Sequence, residues 1–235
     1  MNAYPNIAVV ASLIADPSRA IFLESLLDGR ALPAGELAYM ASVSPQTASS
    51  HLAKLVEGGL LTVEPQGRHR YYRIAGPEVA RLVETMANLA PPVQIRSLRQ
   101  SEQLRRLSGA RTCYRHLAGQ LGIAICEALL VKGVLKEPAA GEERNYEITA
   151  EGYTWLKSFG IEWTNSSSSR RAIARQCLDW SERRYHVAGV LGEKLLNRLL
   201  DLGWIRTRPD SRAVDITLEG RAGLQESFGI TWEAN

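Results

Sequence analysis

The spacing of apolar and polar positions divides the chain at Pro91-Pro92, a pair that ends the preceding helix and stiffens the segment after it. Ahead of it, apolar residues recur mostly at three- and four-residue intervals, the signature of helices with one buried face. Ile7 to Ile14 predicts a short apolar helix. Asp16 and Pro17 supply a cap and a first-turn proline for a second helix, with Ile21, Phe22, Leu26 and Leu27 facing inward. Pro33-Ala34-Gly35 reads as a break, Glu36 to Ala41 as a helix, and Ser42-Val43-Ser44 as a turn. Ser44 and Pro45 then open a helix through Glu57, whose buried face is Leu52, Leu55 and Val56. Its other face is a row of short polar groups: Gln46, Thr47, Ser49, Ser50, His51 and Lys54. Gly58-Gly59 ends it. Leu60 to Val63 and Tyr71 to Ile74 predict two strands joined by the basic turn Gln66-Gly67-Arg68-His69-Arg70. Pro77 opens a last helix with Val79, Leu82, Val83, Met86 and Leu89 on one side.

A polar helix followed by a hairpin with a cationic tip predicts a winged helix-turn-helix, the helix in the major groove of double-stranded DNA and the wing on the backbone or minor groove. Gln46, Thr47, Ser50 and His51 are the candidates for base edges. Ser44, Ser49, Lys54, Arg68 and Arg70 are those for phosphates, and Tyr72 on the returning strand completes the candidate set. The apolar side of the Pro77 helix is expected to pack against its two-fold mate, because a reader of this size gains specificity from two half-sites.

The stretch from Asp16 to about Asn88 resembles an ArsR-type winged-helix regulator. The family pattern S-x-x-T-x-S-x-H-L-x-x-L-x-x-x-G-L is matched by Ser44, Thr47, Ser49, His51, Leu52, Leu55, Gly59 and Leu60. The resemblance covers roughly a third of the chain. It implies a homodimer that binds an operator, usually a repressor released by an inducer. The family's usual metal ligands do not carry over: Leu37 to Ala41 lacks the Cys-x-Cys pair, and Pro77 to Asn88 contains no histidine.

Beyond the prolines the chain repeats itself. His116-Leu-Ala-Gly-Gln-Leu-Gly122 returns as His186-Val-Ala-Gly-Val-Leu-Gly192. Leu129 to Gly133 returns as Leu199 to Gly203, Ile148 to Gly152 as Ile216 to Gly220, and Phe159 to Trp163 as Phe228 to Trp232. From the histidine to the helix-ending glycine is 17 residues in both copies. Agreement in several blocks, in order, marks a true repeat. Each copy reads as a degenerate winged helix, with polar hairpin tips at Glu137 to Arg144 and Arg208 to Arg212 and a Thr164 to Ser169 linker between copies. Where a base-reading helix would be polar, the copies carry Gly122 to Cys126 and Gly192 to Leu196, so they are expected to serve effector sensing and assembly. The fold class is therefore mainly α with small β-hairpins (α+β). Expected boundaries are 1–90 for the DNA-binding domain, 91–110 for an Arg-rich linker helix, 111–163 for the first repeat, 164–174 for a linker, and 175–235 for the second repeat.

Composition adds a few constraints. The 235 residues are 45% apolar, as in an ordinary soluble domain pair, without an apolar run long enough to span a membrane. Three cysteines suit a reducing cytoplasm better than a disulfide scaffold. The N-terminal module to Pro92 carries a net charge of −1, whereas Val93 to His116 carries +5, from Arg96, Arg99, Arg105, Arg106, Arg111 and Arg115 against Glu102. That segment either widens the phosphate footprint or is a solvated helix face. Phosphate-loop, G-x-S-x-G and H-E-x-x-H motifs are lacking, which speaks against an enzyme. The effector candidates are a metal ion or a small organic inducer, with Cys113, His116, Cys177, Asp179, Trp180, Arg184 and His186 as residues to engage it. A metal would take Cys113, His116, Cys177 and His186. Cys113 and His116 at i, i+3 would share one helix face, and Cys113 with Cys177 could also form a redox switch. Trp155, Trp163, Trp180, Trp204 and Trp232 are candidate walls for an organic inducer.

Overall fold

The computed structural model describes residues 4–91, 94–139, 144–163, 172–209 and 211–233, in two units, Met1–Leu89 and Ala90–Asn235. In the first, α1 (Ile7–Ile14) and α2 (Pro17–Ser25) are followed by β1 (Leu32–Pro33), α3 (Ala34–Met40), α4 (Pro45–Glu57), β2 (Leu61–Gln66), β3 (His69–Ile74) and α5 (Pro77–Leu89). The expected caps form: Asp16 accepts from the Arg19 N–H at 3.0 Å and Ser44 from the Thr47 N–H at 3.1 Å. Phe22, Leu23, Leu26, Leu37, Leu52 and Leu55 have no accessible surface and bind α2, α3 and α4 into one core. Each contributes roughly 1.5–3 kcal/mol by leaving water.

The break expected at Pro33 to Gly35 is a different structure. Leu32 and Pro33 pair antiparallel with Tyr72 and Tyr71, adding β1 beside β3 in a three-stranded sheet of order β1-β3-β2, and α3 begins at once at Ala34. A proline is tolerated at such an edge because it lacks only an outward N–H.

The second unit contains α6 (Leu98–Gly109), then β4 (Arg111–Cys113), β5 (His116–Ala118), α7 (Gly119–Val131), β6 (Leu135–Lys136), β7 (Glu147–Ile148) and α8 (Ala150–Ser158). The same order returns as β8 (Arg175–Leu178), β9 (Tyr185–Ala188), α9 (Gly189–Asp201), β10 (Ile205–Arg208), β11 (Ser211–Ile216) and α10 (Leu218–Phe228). Each copy is thus hairpin, helix, hairpin, helix. The helix-turn-helix expected at its start is a β-hairpin leading into a single helix. The Arg-rich helix α6 packs on α7, β4 and β11 within this unit, so it is part of the fold and not a free linker. The linker Thr164 to Ser169 lies outside the described residues, as do residues 140–143 and 210 of the two hairpin tips.

The repeated Ile-Thr-x-Glu-Gly block has a physical reason in both copies. Thr149 and Thr217 cap α8 and α10, accepting from the Gly152 and Gly220 N–H groups at 2.8 and 2.9 Å. A Cβ on either glycine would lie 2.2 or 2.0 Å from the carbonyl oxygen of Val134 or Trp204. The copies are interlocked. Hairpin β10–β11 extends β4–β5 through Ala213↔Arg111, and Asn145 bridges to Arg175 at the start of β8. Leu121, Ile125 and Leu129 of α7 share one core with Leu191, Leu195 and Leu199 of α9. Trp155, Phe159, Trp204 and Phe228 pack ring to ring against that core, so these tryptophans fill it instead of walling a pocket. Between the copies, the gap lined by Leu117, Gly122, Val187 and Gly192 holds about 10 Å³, at most one water. Among the described residues, no helix is long and apolar enough to cross a membrane.

Candidate nucleic-acid interface and a buried cysteine–histidine cluster

In the first unit, α3, the turn at Ala41 to Ser44 and α4 form the helix-turn-helix, with Ser42 in the left-handed region (φ 54°) where the chain reverses. Burial of Ala48, Leu52 and Leu55 leaves Gln46, Thr47, Ser49, Ser50 and Lys54 exposed along one side of α4. Ser49 Oγ donates to the Pro45 carbonyl at 2.9 Å, and the Ser44 and Thr47 hydroxyls lie 2.8 Å apart, which fixes the first turn. The wing pairs Gln66 with His69, and Gly67 (φ 60°) takes the left-handed first position that a two-residue hairpin loop requires. Arg68, His69 and Arg70 at its tip are exposed. An open cleft runs between α4 and the wing, with Ser49 and Ala53 on one wall and Arg68 and Arg70 on the other.

In the second unit, hairpins β4–β5 and β8–β9 each place a cysteine opposite a histidine: Cys113↔His116 and Cys177↔His186. The hairpins meet. Cys113 Sγ lies 3.9 Å from Cys177 Sγ, and His116 Nε2 lies 3.1 Å from His186 Nε2. All four side chains are buried, and their ligand atoms lie within 4.8 Å of one another. A hydrogen bond from Cys113, helped by His116 and His186, outweighs burial and holds the Cys177 thiol well below the usual range. Burial pushes the His116 imidazole down, so it is neutral near pH 7. Cys126 stands apart: its thiol donates to Tyr146 Oη at 3.2 Å, and burial pushes it up to about 11.

Beside the cluster sits a buried ion pair. Asp179 Oδ1 accepts from Arg111 Nη2 at 2.9 Å and from the Ser181 N–H, while Oδ2 accepts from the Gly119 N–H at 2.7 Å. His186 Nδ1 lies 3.5 Å from Asp179 Oδ2. The Arg111 guanidinium lies over the Trp180 ring, 4.4 Å from its centroid.

Residues 14–64 match the model of a helix-turn-helix domain. Over 226 residues the chain is 46% identical to the uncharacterised HTH-type transcriptional regulator YdfF of Bacillus subtilis (strain 168), covering 96% of this chain and 98% of that one. The chain belongs to the HTH-type transcriptional regulators. The HTH-type transcriptional regulator Rv0324 of Mycobacterium tuberculosis is 39% identical over 77 residues, 32% of this chain and 33% of its own. Among solved structures, the homodimeric winged helix-turn-helix DNA-binding domain Mb0332 of Mycobacterium bovis, a possible ArsR-family regulator, is 29% identical over 38% of this chain and 89% of its own, with a TM-score of 0.33.

In this HTH-type regulator the candidate residues fall into distinct environments. Gln46, Thr47, Ser49, Ser50, Lys54, Arg68 and Arg70 are on the exposed face of α4 and the wing. Tyr72 is not: it is 7% exposed and sits opposite Leu32 and Val63, because the two-residue period of β3 sends its side chain to the core. His51 is half-buried and held by Arg19 at 3.3 Å and Asp16 at 3.8 Å, so it braces α4 against α2. Of the arginines in the basic segment, Arg111 is buried on Asp179 and Arg115 pairs with Glu193. Of the effector candidates, Cys113, His116, Cys177, Asp179, Trp180 and His186 are brought together, while Arg184 is exposed and pairs with Glu127. The expectation that Cys113 and His116 share a helix face is corrected: they face each other across a hairpin with a two-residue loop. Cys177 and His186 do the same, with six residues, Asp179 to Arg184, in the loop. Arg111, the partner of Asp179, was missed as a site residue. Its signal is that its counterpart in the second copy, Arg175, precedes Cys177 by the same two residues.

Proposed function

We propose that this transcriptional regulator is a homodimeric, operator-binding repressor of the ArsR type, acting by binding and not by catalysis. Gln46, Thr47 and Ser50 read base edges, while Ser44, Ser49, Lys54, Arg68 and Arg70 hold phosphates. The observation that carries this is one polar face of α4 lying alongside a wing tip with Arg68 and Arg70 exposed, a polar helix for the groove and a cation pair for the backbone. Dimerisation is supported by apolar side chains exposed on α1 and α5: Ile7 and Val9 on one, Leu82, Met86 and Leu89 on the other. The effector acts in the second unit, where two thiols and two imidazoles are enclosed together and, among the described residues, the gap lined by Leu117, Gly122, Val187 and Gly192 is too small for an organic inducer. Selection from random duplex DNA, followed by footprinting, tests the proposal. Two half-sites centred about 34–36 Å apart are expected. Gln46→Ala should relax discrimination at one position of each half-site by about 1–3 kcal/mol. Unchanged discrimination would remove Gln46 from the base-reading set.

A further inference from the structure

We propose that Cys113, His116, Cys177 and His186 form a tetrahedral Zn²⁺ site that joins the two C-terminal copies. All four ligand atoms lie within 4.8 Å of one another, and two of the edges they define already match those of the ion's coordination sphere. A tetrahedral centre with Zn–S near 2.3 Å and Zn–N near 2.0–2.1 Å has edges of about 3.8 Å between its sulfurs and about 3.3 Å between its nitrogens. The structure holds the sulfurs 3.9 Å apart and the Nε2 atoms 3.1 Å apart.

The donor chemistry agrees. Two thiolates and two imidazoles select a borderline-soft ion over Mg²⁺ or Ca²⁺, which take oxygen ligands. Two Nε2 atoms facing each other can share only one hydrogen between them, whereas a metal accepts both lone pairs. His186 Nδ1 is buried and makes no hydrogen bond, yet it points at Asp179 Oδ2 from 3.5 Å. With Nε2 on the ion, that Nδ1 carries the proton and Asp179 becomes the carboxylate that orients the ring. Asp179 is itself fixed by Arg111 and the Gly119 N–H.

The four side chains are no more than 7% exposed, and four protein ligands complete the tetrahedron. With no position left for water, the ion holds structure and does not act as a Lewis acid. Each copy gives one Cys and one His from the same hairpin register, so the ion crosslinks Cys113–His116 of the first to Cys177–His186 of the second. Gly192 of the repeated motif makes this approach possible: a Cβ there would lie 2.9 Å from His116 Cβ.

This inference concerns the second unit alone and can fail while the operator proposal holds, because it is read without DNA. The full chain is purified under reducing conditions without added chelator, its metal content is measured, and the metal is exchanged for Co²⁺. The expected result is one zinc per chain and a cobalt spectrum with tetrahedral d–d bands and thiolate-to-metal charge transfer. Stripping should lower Tm, and stoichiometric zinc should restore it. The Cys113→Ser/Cys177→Ser double variant should fall from one equivalent to none, while Cys126→Ser keeps its metal. X-ray absorption on the wild-type zinc protein should give two sulfurs at about 2.3 Å and two nitrogens at about 2.0–2.1 Å, a reading independent of whether the double variant folds. Failure to take up zinc or cobalt, an octahedral cobalt spectrum, a Cys113–Cys177 disulfide in the reduced protein, or metal retained by a folded double variant would each overturn the site.

Discussion

Arg111→Ala is expected to destabilise the second unit by about 3–5 kcal/mol, because it leaves Asp179 charged and buried without its cation. The guanidinium also donates to the Leu107 carbonyl at 3.0 Å and to Ser181 Oγ at 3.1 Å, so the substitution orphans α6 and the β8–β9 loop together. All five tryptophans belong to this unit, so urea unfolding followed by tryptophan fluorescence reports it separately from the DNA-binding unit. Arg208→Ala is the control. It removes an ion pair to Asp215 of similar length, 2.8 Å, but at an exposed position, and should cost at most about 1 kcal/mol. Equal effects for the two variants would mean that the Arg111–Asp179 pair is not a buried clamp.

The same pair sets a pH dependence. Burial would raise the Asp179 carboxyl, but Arg111, His186 and the Gly119 N–H outweigh it and hold the group at about 2. A carboxyl depressed on folding contributes stability that is whole above its unfolded value near 3.8 and is lost as pH falls toward 2. The loss amounts to on the order of 2 kcal/mol. In Arg111→Ala this acid limb should flatten.

Gly192→Ala is expected to cost about 1–3 kcal/mol or more from overpacking. The added Cβ would lie 2.4 Å from the Val187 carbonyl oxygen and 2.9 Å from His116 Cβ, and neither neighbour is the free end of a flexible side chain. Backbone must move, and the movement separates the two hairpins. Gly35→Ala, with nothing within 4 Å of the new Cβ, should be neutral or slightly stabilising. A thermal melt in which Gly192→Ala matches Gly35→Ala would contradict the close approach of the copies.

The DNA-binding unit was legible because its signals are local. Ser44-Pro45 and Gly58-Gly59 bound a periodic stretch, and α4 runs from Pro45 to Glu57 as expected. The wing follows from a glycine between two apolar runs. Strand β1 was hidden because two residues carry no period, and only the sheet they join makes them a strand. Tyr71 and Tyr72 are chemically alike, so the pleat, and not the sequence, decides which one is buried. The hairpins of the second unit were the harder case. A three-residue strand, a loop of Tyr114 and Arg115 without glycine, and another three-residue strand give the same Cys-x-x-His spacing as one helical turn. Tyr114 takes the left-handed conformation (φ 57°) that a glycine would have advertised. The repeat held the remaining clue. Aligning Cys113 with Cys177 requires a six-residue insertion before the second histidine, and those six residues are the Asp179 to Arg184 loop that supplies the buried carboxylate.

Whether α4 and the wing are the DNA interface is decided most directly by the salt dependence of operator binding by Arg68→Ala/Arg70→Ala. With two phosphate contacts removed from each protomer, affinity should fall on every sequence. The slope of log K against log salt should shrink by about 2 per protomer, with base preferences kept. A slope equal to that of the wild type would show that the wing does not hold the phosphate backbone.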